Sequence, residues 1–419
     1  MSQSPTGTDD YDDSTFAYYV PLIVLGTITS TLSILGSGCI VYMSSRPNQL
    51  RYIKQRLLLA LSISDMLSSA FWMLMPYLAP KWVGTPGAVG NHASCTAGGF
   101  FILVFTKVSS TYNAYLSICF LLIVRGNWKE HDFRKPLEIG AHVLATTLPL
   151  IVDIPAAVTQ SINPTPLFAN LCMYGPYPLG CVEEDECERS SKATSLIFVA
   201  ASVPLFWIWT IVGLICTAIV WWTARKTFRR NNQYNFEQSN IRQSIGQSSD
   251  RTSIARSSES NNDKMVREMG TQAALYEMAY LNSCIWPLLM MILFGSISDA
   301  ELAERNLQPG FYILKLLTML FYPSQGAWNF FVYTRPKVLH WKKAQPDYST
   351  QEIYRAVLSG KMPPSRSRSG RKPKSGEQAV DPNQPTNRNG EESTEEDEEK
   401  TNREVVETRQ SSVPIFLRS

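Results

Sequence analysis

The chain has 419 residues, of which 44% are hydrophobic and only 18% are charged, and its formal net charge is +3. This composition is typical of a membrane-embedded protein and excludes one large soluble core of ordinary makeup. A mean hydropathy of −0.10 averages two unlike parts, an apolar part that ends near Tyr333 and a polar tail. The sequence carries no motif for nucleic-acid binding, a metal, a cofactor or catalysis, so we expect none of these.

Seven apolar segments predict an all-α membrane protein with a bundle of seven transmembrane helices. They lie at about 19–43, 57–78, 96–124, 137–158, 194–222, 270–296 and 309–333. The sixth is the weakest, because residues 270–282 are polar and only 285–294 are strongly apolar. We therefore divide the chain into a short extracellular tail (1–18), a bundle (19–344) that ends in a short amphipathic helix at 337–343, and a cytosolic tail (345–419).

The basic residues determine the predicted orientation. The segments between spans carry 4, 4 and 9 Lys or Arg residues on one side, against 0, 1, 2 and 1 on the other. Cytosolic loops of membrane proteins are enriched in Lys and Arg. The amino terminus is therefore predicted outside the cell and the carboxyl terminus in the cytosol.

The third segment, 96–124, has only one charged residue, Lys107, and as a helix it would be about 43 Å long. Polar side chains between Thr106 and Ser117 interrupt its apolar residues. We expect such a helix to have protein neighbours on most sides. The alternative is an ordinary tilted span.

The cysteines fall into two groups. Four lie inside predicted spans, where cysteine behaves as a small apolar residue. The other four lie on the predicted outer side, which is oxidising at a cell surface: Cys95, Cys172, Cys181 and Cys187. Four cysteines allow three sets of pairs, and we favour Cys95 with Cys172 and Cys181 with Cys187. Pairing of Cys95 with Cys181 or Cys187 is the alternative.

Two segments carry a resemblance to known proteins. The second span reads LLLALSISDML over residues 57–67, and the seventh ends in SQGAWNFFVY over residues 324–333. These are similar to the LSISDLL and LQGFxNxxVY stretches of the cyclic AMP receptor-like and secretin-like families of G-protein-coupled receptors. The Asp/Glu-Arg-Tyr and Asn-Pro-x-x-Tyr motifs of the rhodopsin-like class are missing.

The resemblance implies a plasma-membrane receptor and not an enzyme. Such a protein binds an extracellular ligand and activates a heterotrimeric G protein. The outer tail lacks the cysteine-stapled hormone-binding domain of secretin-like receptors, which disfavours a peptide hormone. An extracellular small molecule is the expected ligand.

Several residues of the second, sixth and seventh spans are candidates for a helical switch. Asp65 lies mid-span, so we expect a polar cluster with Ser324, Gln325 or Asn329. Pro287 removes a backbone donor and permits a kink, and Gly326 lets another helix approach closely. The candidate set is Asp65, Trp286, Pro287, Gln325, Gly326, Asn329 and Tyr333.

Charges inside membrane spans cost about 2.5 to 3.5 kcal/mol each at a helix centre, so each one is a functional hypothesis. Lys107, Asp153 and Lys315 are placed to face an outward cavity, where the two lysines would bind an anionic small ligand. Alternatively, these three residues pair with each other and hold the bundle together. Glu277 lies in the inner half of its span, and we expect it to contact Arg125.

Basic residues at the cytosolic ends of the spans are predicted to form a rim that contacts the G protein. The rim residues are Arg51, Lys54, Arg125, Arg134, Lys135, Arg229 and Arg230. The third inner loop, at 231–263, and the tail from 363 are polar and predicted to be disordered, with Arg-x-Ser and Arg-Ser sites for kinases. Ser349 and Glu352 have the spacing of a capping box, which predicts a short helix after them.

Two other functions compete with a receptor. A seven-helix retinal protein needs a lysine in its last span, and Lys315 is there, but Lys107 stands where a carboxylate is expected. A transporter or channel would normally show internal repeats or paired broken helices, and the sequence shows neither.

Overall fold

The computed structural model describes residues 13–46, 49–126, 128, 135–165, 171–178, 181, 187–245, 253–294 and 308–360. The chain divides into two units, Met1–Pro336 and Lys337–Ser419. The helices are α1 (Asp13–Ser44), α2 (Ile53–Leu78), α3 (His92–Gly126), α4 (Lys135–Val158), α5 (Lys192–Ile245), α6 (Ser253–Phe294), α7 (Gln308–Phe321), α8 (Gln325–Ala344) and α9 (Thr350–Ser359). Strands β1 (Ile162–Thr165) and β2 (Leu171–Tyr174) form an antiparallel hairpin.

The fold is an all-α membrane helical bundle. Five helical segments in the described residues are long and apolar enough to cross a membrane: Phe16–Ser44, Ile53–Leu78, His92–Gly126, Lys135–Val158 and Lys192–Lys226. The sixth and seventh predicted spans correspond to α6 and to the α7–α8 pair. The seventh is broken at 322–324, where Pro323 lacks the backbone N–H that a continuous helix would use.

The helices of the fifth and sixth spans, α5 and α6, extend further into the segment between them than the sequence predicts. Residues 231–245 belong to α5 and 253–263 belong to α6, so the prediction of disorder there is wrong. Once a helix is nucleated by an apolar span, each further residue adds a hydrogen bond without a new nucleation cost. The segment 337–343 is helical as predicted, but it belongs to α8 and is not a separate helix. The tail after 360 lies outside the described residues.

The short helix α9 begins at the predicted capping box. The Ser349 side chain accepts a hydrogen bond from the Glu352 backbone N–H at 3.3 Å, and the Glu352 carboxylate accepts one from the Ser349 N–H at 2.9 Å. The helix ends at Gly360, whose φ of 69° is the left-handed conformation that favours glycine. Two backbone donors that would otherwise lack partners are thereby satisfied.

Small residues bring α1 and α8 into close contact. The Gly326 N–H donates to Ser33 Oγ at 2.9 Å, and a Cβ at Gly326 would lie 2.0 Å from Ser37 Oγ. A Cβ at Gly36 would likewise lie 2.8 Å from the Gly326 carbonyl oxygen. Close approach of this kind strengthens van der Waals contact between helices in lipid, where the hydrophobic effect does not drive helix association.

Replacing Gly326 with alanine should therefore destabilise the bundle by about 1 to 3 kcal/mol, the usual cost of overpacking. Gly38→Ala is the matched control, because no atom lies within 4 Å of the Cβ it would add. That change should raise stability by about 0.5 to 1 kcal/mol through helix propensity. Thermal unfolding of the two purified variants tests this, and equal unfolding temperatures would contradict the close-packing argument.

Candidate functional site

The β1–β2 hairpin lies against the outer part of α3 and is bonded to it. Cys172 of β2 forms a disulfide with Cys95 of α3, and Cys181 forms one with Cys187. Both are the pairs that the sequence analysis favoured. A Cβ at Gly99 would lie 2.4 Å from the Cys172 carbonyl oxygen, so only glycine lets the hairpin approach α3 this closely.

A cavity of about 590 Å³ lies beneath this hairpin. Its walls come from α2, α3, α5 and α6, from the hairpin and from Tyr322 at the break between α7 and α8. This volume is in the range of small-molecule sites. The lining residues include Trp72, Lys107, Tyr174, Lys192, Pro287 and Tyr322.

Lys107, the charged residue of α3 that lines the cavity, already forms an ion pair. Lys107 Nζ lies 2.8 Å from Asp153 Oδ1 and 3.0 Å from Oδ2, and the Lys107 and Asp153 side chains are only 4% and 0% exposed. Lys107 also donates to the Tyr174 hydroxyl at 3.0 Å, and Tyr174 donates to Asp153. Burial and then the Asp153 charge raise the pKa of the Tyr174 phenol, which therefore stays a donor at neutral pH. The alternative to an anion site was that Lys107, Asp153 and Lys315 pair with each other. Lys107 and Asp153 do pair in this way.

Lys315 lies elsewhere. Its ammonium is 4.3 Å from the centre of the Phe311 ring and 5.4 Å from that of Tyr18, and the residue is 3% exposed. It does not line the cavity beside Lys107. The two lysines therefore do not both line this cavity, because α7 presents Lys315 toward Phe311 and Tyr18.

Asp65 is the centre of a polar cluster between α2, α3 and α8. Asn329 Nδ2 donates to Asp65 Oδ2 at 2.7 Å, Ser109 donates to Oδ1, and Gln325 Nε2 donates to Ser109 Oγ at 3.1 Å. Asn329 is therefore a direct partner and Gln325 an indirect one. Ser324 is not a partner, because its hydroxyl donates to the Phe321 carbonyl and accepts from the Trp328 indole.

The remaining switch candidates lie along α6 and α8. Pro287 lines the cavity, and the ring of its neighbour Trp286 stacks on Phe321 of α7 at 5.6 Å. Tyr333 of α8 is buried and donates to Gln55 Oε1 at 3.5 Å. These residues connect α6 with α7, and α8 with α2.

Glu277 does not reach Arg125. Its Oε2 accepts hydrogen bonds from Asn113 Nδ2 at 3.2 Å and Ser117 Oγ at 3.3 Å, and the residue is buried. Arg125 lies two turns beyond Ser117 on α3 and is exposed. The predicted Arg125 contact is therefore wrong, since α6 sets Glu277 beside the middle of α3 and against Gly213 of α5, where a Cβ would lie 2.9 Å from Oε2.

The predicted cytosolic rim is partly present. Arg51, Arg125, Lys135 and Arg229 are exposed. Lys54 is an exception, because it is 5% exposed and its ammonium lies 5.4 Å from the centre of the Phe120 ring on α3. Arg134 lies outside the described residues, as does the Arg230 side chain.

Sequence reasoning missed two contributions to the site. Tyr174 follows Cys172 by two residues on β2, so both side chains lie on one face of the strand. The predicted disulfide at Cys172 was the signal that could have pointed to Tyr174. Glu138 accepts from Arg56 Nη2 at 2.6 Å, and this ion pair joins the first turns of α2 and α4. Within the described residues, no group of three or more His, Cys, Asp or Glu is placed to hold a metal ion.

Comparison with known proteins gives limited information. No family model matches the sequence, and no curated protein matches it. Among solved structures, the crystal structure of squid rhodopsin is similar with a TM-score of 0.49 and 13% identity, and the match covers 87% of this chain and 98% of that one. This similarity is too low to assign a ligand or a partner.

The buried ion pair predicts an asymmetric response to substitution. Asp153→Ala should destabilise the protein by about 3 to 5 kcal/mol, because it leaves the Lys107 charge uncompensated in the membrane interior. The double change Lys107→Met with Asp153→Ala should recover most of that loss, because no charge is then left unpaired. Thermal unfolding of the single and double variants, with exposed Lys81→Met as control, measures the coupling. Additive losses in the double variant would show that the pair is not coupled.

Proposed function

We propose that this protein is a G-protein-coupled receptor of the plasma membrane that binds an extracellular small molecule and activates a heterotrimeric G protein. The observation that carries this proposal is the cavity beneath the disulfide-bonded hairpin. The hairpin, which a disulfide bonds to α3, lies along one side of it, and its other walls are helices that extend toward the proposed cytosolic side. A ligand held there touches several helices at once, as a receptor switch requires.

The cavity is connected to the polar cluster through a short chain of contacts. The ring of Tyr322 packs on that of Trp72 at 5.1 Å, and both residues line the cavity. The next residue, Pro323, has its carbonyl oxygen 3.2 Å from Ser69 Oγ. Asn329, one and a half turns further along, bonds Asp65. A ligand that moves Tyr322 would thus act on the break between α7 and α8 and on the polar cluster below it.

The cytosolic end supplies a surface for the partner. The exposed cations Arg51, Arg125, Lys135 and Arg229 belong to four different segments of the chain. A cationic rim of this kind accelerates association with an acidic protein surface and weakens as ionic strength rises. This supports a G protein as partner on the proposed inner side.

A retinal-binding photoreceptor is less well supported. The lysine of the last span, Lys315, is not among the residues that line the cavity, and the cavity lysine Lys107 already donates to Asp153 and Tyr174. Added retinal should therefore give the purified protein no red-shifted absorbance. A shifted band that is lost in Lys107→Met or Lys315→Met would favour the photoreceptor instead.

The receptor proposal predicts catalysed nucleotide exchange. Purified receptor in lipid nanodiscs should accelerate GTPγS uptake by at least one member of a Gα panel over empty nanodiscs. It should also form a complex with that heterotrimer after apyrase treatment, and GTPγS should dissociate the complex. Absence of both signals with every Gα subunit would overturn the proposal.

Neutralising the rim should weaken coupling without unfolding the receptor. The variant Arg51→Gln, Arg125→Gln, Lys135→Gln and Arg229→Gln should exchange nucleotide several-fold more slowly, because long-range attraction is lost. The difference should shrink at high salt. Lys81→Gln, an exposed change on the outer side, is the control. Unaltered exchange by the rim variant would place the partner elsewhere.

A further inference from the structure

One wall of the cavity is a continuous stripe on α5. The stripe consists of Lys192, Ser195, Leu196, Val199, Ser202, Val203, Phe206 and Trp207. Their spacing of three or four residues puts them on one helix face, and the stripe is about 22 Å long. The cavity is therefore lined by α5 over about four turns of that helix.

The interior of this cavity offers few polar groups to a ligand. Most lining side chains are aliphatic, aromatic or Met. Lys107 donates to Asp153, Tyr174 and the Leu103 carbonyl oxygen, so its three N–H donors are already engaged. The Lys107–Asp153 pair is neutral as a whole. The middle of the cavity therefore suits an apolar ligand body.

Charge appears at the outer end of the stripe. Lys192 is exposed, lines the cavity, and forms no ion pair with any residue of the described ranges. It is also the first residue of α5, where the helix dipole adds positive potential. An anionic group at this end would be attracted by the ammonium and the helix terminus together, while water at the mouth keeps it hydrated.

We propose that the ligand of this cavity is a long-chain monocarboxylic acid, whose carboxylate binds Lys192 and whose chain follows the α5 stripe. This deepens the receptor proposal, on which its signalling consequence rests. In this proposal the anion binds Lys192 at the end of the cavity, and Lys107 and Lys315 do not form an anion site. A mostly apolar cavity that follows α5 and has one charged end is complementary to an amphiphile with one charged end.

The test is direct binding of radiolabelled hexadecanoic acid, whose extended chain is about as long as the stripe. The receptor is held in phosphatidylcholine nanodiscs, with empty nanodiscs as the background. Binding should be saturable, and methyl hexadecanoate and hexadecylamine should compete about tenfold or more weakly, because neither carries the negative charge. Equal competition by the ester or the amine would overturn the proposal. Equal competition by phosphatidylglycerol would assign the site to a membrane lipid instead.

Variants locate the two ends of the ligand. Lys192→Gln should weaken binding of the acid about tenfold, and Lys192→Arg should retain it. Lys81→Gln is the matched control on the outer side. Val203→Trp should abolish binding by filling the cavity, whereas Ile197→Trp, on the outward face where the native side chain is 65% exposed, should not. Unchanged binding by Lys192→Gln and Val203→Trp, in protein whose unfolding temperature is normal, would refute the site.

Binding and coupling are scored separately. Saturable, Lys192-dependent binding without nucleotide exchange on any Gα subunit would contradict the proposed function and leave the ligand assignment standing. Nucleotide exchange without such binding would overturn the ligand assignment alone.

Discussion

The ion pair between Lys107 and Asp153 is the interaction on which the outer half of the bundle depends. A charge in the membrane interior is tolerated only when another group compensates it, because lipid offers neither water nor counterions. Tyr174 completes the arrangement from the hairpin, so three chain segments share one buried hydrogen-bond network. Within this network the Lys107 and Asp153 charges offset each other, so this part of the cavity wall carries no net charge.

At three positions along its length, helix α3 forms a polar contact with a buried charged side chain of another helix. Lys107 contacts α4, Ser109 contacts Asp65 on α2, and a turn further in, Asn113 contacts Glu277 on α6. Each polar position contacts a different helix. Lys107 and Ser109 are two positions apart and point in different directions, whereas Ser109 and Asn113 are one turn apart and differ in depth along α3. A central helix surrounded on most sides can satisfy all of them, and most of α3 is buried. These polar contacts thus stabilise the bundle in lipid, where the hydrophobic effect does not drive helix association.

The break between α7 and α8 is the point where the outer and inner halves meet. Pro323 interrupts the backbone hydrogen bonds there, and its carbonyl is bonded by Ser69 instead. Tyr322 faces the cavity on one side of the break, and the Gly326 contact with α1 lies on the other. In the proposed receptor, this break would carry a displacement from the cavity to the helix contact.

The sequence by itself determined the helical class and the four cysteines that form disulfides, because these depend on local hydropathy and on position along the chain. The mid-span position of Asp65 also indicated a polar cluster with Ser324, Gln325 or Asn329, and of these three Asn329 is the direct partner. Only the tertiary structure decided that Asp153 pairs with Lys107 while Lys315 lies among aromatic rings, and that Glu277 bonds Asn113. Depth in the membrane can be read from a sequence, but the rotation of each helix about its axis is set by packing against its neighbours.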